Sequence, residues 1–128
     1  MSYYFNKTLA LRFDEAVERV KAELKKEGFG VLTEIDVQKT LKEKIGADFR
    51  PYRILGACNP TYAHKALTIE DKIGTMLPCS VIVQELGPGR VEVAAIDPLA
   101  SMAAVKNEDL ATVGLEVREK LQRAVAAL

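Results

Sequence analysis

Two apolar stripes at helical spacing constrain this chain more than any other feature. Phe13, Ala16, Val17, Val20 and Leu24 recur at three- and four-residue steps, surrounded by Glu15, Glu18, Arg19, Lys21, Glu23 and Lys25; Leu110, Val113, Val117, Leu121, Val125 and Leu128 repeat the pattern near the end. Each stripe is the inner face of an amphipathic helix and needs a sheet to cover. A chain of 128 residues supports one hydrophobic core. The expectation is therefore a single α+β domain spanning residues 1–128.

The strands are read from two-residue alternation. Residues 2–11 alternate through Tyr3, Phe5, Leu9 and Leu11, interrupted at Lys7. Phe29, Val31, Thr33, Ile35 and Val37 alternate against Gly30, Leu32, Glu34 and Asp36, which predicts a strand with one buried face. A short helical turn over 37–45 ends at Gly46, and 51–58 (PYRILGAC) reads as a third strand opened by Pro51. Asn59-Pro60 is a helix start, because Asn accepts a bond from a free N–H and proline at the first helical position wastes no donor. That helix is expected from 60 to about 71. CSVIVQEL and VEVAAID then form two strands joined through Gly87-Pro88-Gly89-Arg90.

Eighteen basic residues balance eighteen acidic ones, so no net field recruits a polyanion, and nucleic acid is not an expected partner. No apolar run approaches a membrane span, and the N-terminus MSYYFNKTLALRF lacks the build of a signal peptide. A cytoplasmic protein without membrane partners is expected. The two cysteines are too few for a disulfide framework and are read as reduced thiols.

The candidate ligand-binding residues are Cys58, Asn59, His64 and Cys79. Cys58 precedes a helix start, where backbone N–H groups favour a thiolate. His64, the only histidine, lies one turn into the same helix. Cys79 opens the next strand. It meets Cys58 if the two strands run antiparallel and lies at the opposite end of the sheet if they are parallel; periodicity does not choose. Glu34 and Asp36, with Asp97 beyond, are a weaker candidate for a carboxylate cluster, because solvated strand edges show the same pattern. Signatures of the phosphate-loop, GxSxG, HExxH and CxxC types are not found.

The blocks EGFGVLTEID (27–36), PYRILGACNP (51–60), AHKAL (63–67), IGTMLPCSVIV (73–83) and DP (97–98), in this order, look like the bacterial and archaeal family catalogued as domain of unknown function 302, from about residue 13 to the C-terminus. The resemblance implies a sheet of about five antiparallel strands backed by helices, β-α-β(4)-α, with TATA-binding-protein-like topology. It would bring Cys58 and Cys79 to one end. It implies no activity, and the topological likeness to a DNA-bending protein transfers no function.

Two functional expectations follow. The first is a homodimeric binding or regulatory module with a small-ligand or soft-metal site near Cys58, His64 and Cys79; two thiolates and an imidazole would suit zinc or copper(I). The other is a thiol-dependent redox or sulfur-transfer protein using Cys58, with Cys79 as resolving partner. Assembly is read separately. Tyr3, Tyr4 and Phe5 make the first strand aromatic on both faces, which predicts a homodimer contact on or beside that strand.

Overall fold

A computed structural model describes residues 2–128. The chain runs β1 (Tyr4–Leu9), α1 (Phe13–Lys26), β2 (Gly30–Asp36), α2 (Val37–Ile45), β3 (Tyr52–Cys58) and α3 (Pro60–Ile69). A 3₁₀ turn (Asp71–Met76) leads into β4 (Cys79–Gly87), β5 (Arg90–Ile96), α4 (Pro98–Ser101) and α5 (Glu108–Ala126). The strands form one sheet in the order β1-β5-β4-β3-β2, with every neighbouring pair antiparallel. The expected α+β architecture and antiparallel topology are therefore present. None of the described helices is long and apolar enough to cross a membrane.

The two stripes read from sequence build the covered side. Ala16, Val17, Val20 and Leu24 of α1 and Leu110, Val113, Val117 and Leu121 of α5 are buried against Leu55, Val81, Val83, Val91, Val93 and Ala95 of the central strands. Each fully buried Val or Leu side chain contributes roughly 1.5–3 kcal/mol of transfer free energy, so this layer carries most of the fold's stability. Lys7, which interrupts the β1 pattern, lies in inward register beside Phe5 and Leu9. Its ammonium donates to the carbonyls of Ala126 and Leu128 at 2.9 and 2.5 Å, at the C-terminus of α5, where a cation is favoured.

β2 departs from its expected alternation. The β2–β3 register slips between Val31 and Thr33, so Leu32 forms a bulge. Val31 keeps the inward register, opposite Ala57, but Thr33 and Ile35 face away from the helices, opposite Gly56 and Ile54. Glu34 and Asp36 are turned toward the helix layer, where Lys21 and Arg53 meet them. A simple period-two reading assigns these four side chains to the wrong faces, because one inserted residue inverts everything beyond it.

The other side of the sheet is open. Ala94, Ile82, Ile54 and Ile35 are direct register partners in succession, an apolar row across four strands. Tyr4, Tyr52 and Ile96 join Ile82 and Ala94 around a broad concavity of about 350 Å³ on this face. Beside the row, Asn6 and Gln84 each donate to Glu92, at 2.9 and 2.8 Å, and Arg50 donates to Gln84 at 2.8 Å. Polar groups on this face thus partner one another across strands.

An apolar cavity at the end of β3 and β4

The antiparallel pairing of β3 with β4 puts Ala57 opposite Cys79, so the C-terminal end of one strand meets the start of the next. Between these ends the chain makes an excursion through α3 and the 3₁₀ turn. The return is seated closely on β3: a Cβ at Gly56 would collide with the Thr33 hydroxyl and the Pro78 ring. Glycine is needed there for close approach. The Leu77–Pro78 peptide is cis.

The excursion does not close fully against α5. It leaves a cavity of about 270 Å³ lined by Phe29, Leu32, Cys58, Asn59, Tyr62, Ala63, Ala66, Leu67, Leu77, Cys79, Met102, Val113, Gly114 and Val117, among others. The space exists because α3 presents Ala63 and Ala66 where larger side chains would interdigitate with α5, and because α5 carries Gly114 within its apolar stripe. Nearly all of the lining is hydrocarbon, with two thiols and the Asn59 amide at the strand end. Pockets of this character bind small molecules, with a few polar groups setting orientation.

Three of the four residues singled out in the sequence line this cavity: Cys58, Asn59 and Cys79. His64 does not. It is exposed on α3, turned away from the cavity on which Ala63, Ala66 and Leu67 open. The expected set of two thiolates and one imidazole is therefore not assembled, and among the described residues no group of three or more His, Cys, Asp or Glu side chains is placed to hold a metal ion. Asn59 also differs from expectation. It stands at the N-cap of α3 without a side-chain capping bond, and its Nδ2 donates instead to the Glu27 carbonyl at 3.3 Å, tying the end of β3 to the end of α1.

Both cysteines are free. Cys79 is buried in the covered face, and its thiol is pushed up to about 11, first by desolvation and then by the neighbouring Cys58. A thiol in that range is neutral at pH 7. The candidate carboxylates are likewise engaged elsewhere. Glu34 bonds Lys21 at 2.7 Å and Arg53 at 2.6 Å, and those hydrogen bonds hold its carboxyl below the usual range. Asp97 caps α4 by accepting from the Leu99 N–H and pairs with Arg118, both at 3.0 Å, so it belongs to a structural joint well apart from Glu34.

Sequence reasoning did not find Tyr62, Met102, Val113, Gly114 or Val117 as cavity residues. One signal was available. A glycine inside an amphipathic helix costs about 1 kcal/mol relative to alanine, so Gly114 at the inner face of α5 marks a place where something needs room.

The fold and the site together define a class: an α+β domain with one helix-covered sheet face, one open face, and an apolar cavity where the helices meet the strand ends. The chain belongs to the family described as Domain of unknown function DUF302, whose model matches residues 5–128. It is also similar to the crystal structure of the uncharacterized conserved protein DUF302 from Bacillus stearothermophilus, with a TM-score of 0.90 and 28% identity over 98% of each chain. No curated protein matches the chain.

Proposed function

We propose that this domain is a binding module that takes a small apolar molecule into the cavity between α3 and α5, with Cys58, Asn59 and Cys79 at its polar end, and that it works as a homodimer. The observation that carries the reading is the cavity itself: about 270 Å³ of space walled by hydrocarbon, with the neutral Cys79 thiol among its few polar groups. A ligand there gains by leaving water and needs no charge partner. Because His64 stands outside, the ligand reading is favoured over the soft-metal one. Dimerisation is supported by the open sheet face, where the row Ala94, Ile82, Ile54 and Ile35 offers apolar surface and the flanking polar groups already have partners. A stable dimer on that face would bury on the order of 1,000 Å² or more.

The test is fluorescence of N-phenyl-1-naphthylamine, a neutral probe that brightens in an apolar site. Wild type should bind it saturably, and Ala63→Leu, which fills the cavity from α3, should lose at least tenfold in affinity while keeping its melting temperature within a few degrees. Absence of probe binding to wild type, or equal binding by the filled variant, would overturn the reading.

Thiol chemistry on Cys58, with Cys79 as resolving partner, is the second reading, and the charge influence of one sulfur on the other favours it by proximity. The high pKa of Cys79 opposes it, because a resolving thiol acts as thiolate. An alkaline titration decides between them. Ionisation of Cys79 below about pH 9, near the ordinary thiol range, would restore the redox reading.

A further inference from the structure

A second chamber, walled by apolar side chains and exposed backbone, lies against the first. It measures about 190 Å³ and is lined by Leu99, Met102, Val105, Leu110 and Gly114, among others; Met102 and Gly114 line both chambers. An added Cβ at Gly114 would lie 3.3 Å from Leu99 Cδ2 and 3.7 Å from Met102 Sδ, so the Leu99 and Met102 side chains rest directly on the bare backbone of α5. Met102 and Gly114 are common to both linings, so a half-buried methionine side chain lying over a glycine stands at the boundary between the chambers. Methionine has three rotatable bonds and is the apolar side chain that most readily takes another path through a gap.

We propose that the ligand of this domain is an unbranched aliphatic chain, which enters beside Cys58 and Asn59 and runs past a displaced Met102 into the second chamber. The inference rests on the binding reading above and names its ligand class. Shape decides between a chain and a ring. The two chambers adjoin at Met102 and Gly114, and a passage opened by moving Met102 would be as wide as the side chain that leaves it. A polymethylene chain has the cross-section of a methionine side chain; a fused ring does not. Taking ~30 Å³ for a water-sized group, the first chamber holds about nine such groups and the second adds about six. The entrance does not select a strongly charged head. Lys65 and Lys120 stand 5.5 and 5.9 Å from the Tyr62 ring centre, but the Glu116 carboxylate also lies near this tyrosine, so the local charges offset and a neutral polar head suits the site.

The experiment is displacement of N-phenyl-1-naphthylamine by 1-alkanols from hexanol to tetradecanol. Each methylene buried should tighten binding about fourfold, the equivalent of roughly 0.8 kcal/mol per CH₂. For wild type the gain should continue past a chain of about nine heavy atoms, with smaller increments once Met102 has to move. Met102→Ala should restore the full increment in the longer alkanols, and Met102→Phe, a stiffer plug, should stop the gain at the first chamber. Leu99→Phe fills the second chamber with a residue other than Met102 and serves the same purpose if the Met102 variants fold poorly. A gain that ends at the same chain length in wild type, Met102→Ala and Leu99→Phe would overturn the chain proposal and leave the binding reading standing. Failure of the probe and every alkanol to bind wild type would overturn both.

Discussion

The two faces of this sheet are made by the same five strands and behave as different materials. On the covered face Leu55, Val81, Val83, Val91, Val93 and Ala95 are locked beneath α1 and α5 with almost no exposure. On the open face Tyr4 retains 41% and Ile35 48% of its surface, although the neighbouring row is equally apolar in type. Residue type alone does not distinguish the faces; what lies over them does. Stability is concentrated on one side, which leaves the other free to be shaped for contact.

Mutations can sharpen that contrast or destroy it. The largest effect is expected on the covered face: Leu121→Ala removes a fully buried side chain from α5 and should cost about 2–5 kcal/mol in urea unfolding. A cost under 1 kcal/mol would mean that the helix layer is not the stabilising one. An intermediate effect belongs to the thiol that this face keeps neutral. In the unfolded chain Cys79 releases its proton near the ordinary value of about 8.5, whereas in the folded protein it holds it until about 11. The unfolded state therefore binds fewer protons over that interval, so stability present below pH 8.5 is progressively lost as pH rises toward 11, by about 3 kcal/mol. Unfolding curves of wild type and Cys79→Ala across pH 7–11 should show that slope in the first and not in the second. Parallel curves would mean a Cys79 of ordinary pKa and would revive the redox reading. The smallest effect on stability is expected on the open face. Ile82→Glu should change the unfolding free energy of the separated chain by about 0.5 kcal/mol or less, yet light scattering at micromolar concentration should fall from the mass of two chains to that of one. A wild-type mass of one chain, unchanged on concentration, would end the dimer reading, and a dimer that survives Ile82→Glu would place the interface elsewhere.

Much of the fold was legible because most of its signals are local. The stripes of α1 and α5 and the alternation of β4 and β5 each report burial through spacing alone, and all four elements lie close to where the pattern puts them. β2 looked equally clear and was misread beyond Val31, because a bulge at Leu32 leaves no local trace in a run that still alternates. The 3₁₀ turn and α4 were not anticipated, since both are single short turns without a stripe of their own. Of the site, Cys58, Asn59 and Cys79 were legible as chemistry at one strand end, and the family resemblance supplied the antiparallel order that joins them. His64 was misplaced by about a third of a helical turn, enough to move it from the cavity to solvent. The cavity is defined by what is missing, small residues at Ala63, Ala66 and Gly114 on helices far apart in the chain, and only their juxtaposition reveals it.

The ammonium of Lys7 on the carbonyls of Ala126 and Leu128 ties β1 to the end of α5, 121 residues away at Leu128. Among the described residues β1 pairs with no strand but β5, so α1, β2, β3 and β4 all lie between it and its partner in the sequence. The strands β2 to β5 each pair with the next in sequence, whereas the β1–β5 pairing closes the longest loop in the sheet and carries the largest entropic cost of closure. The Lys7 clamp belongs to the same long closure, since it too joins β1 to residues that follow every strand of the sheet.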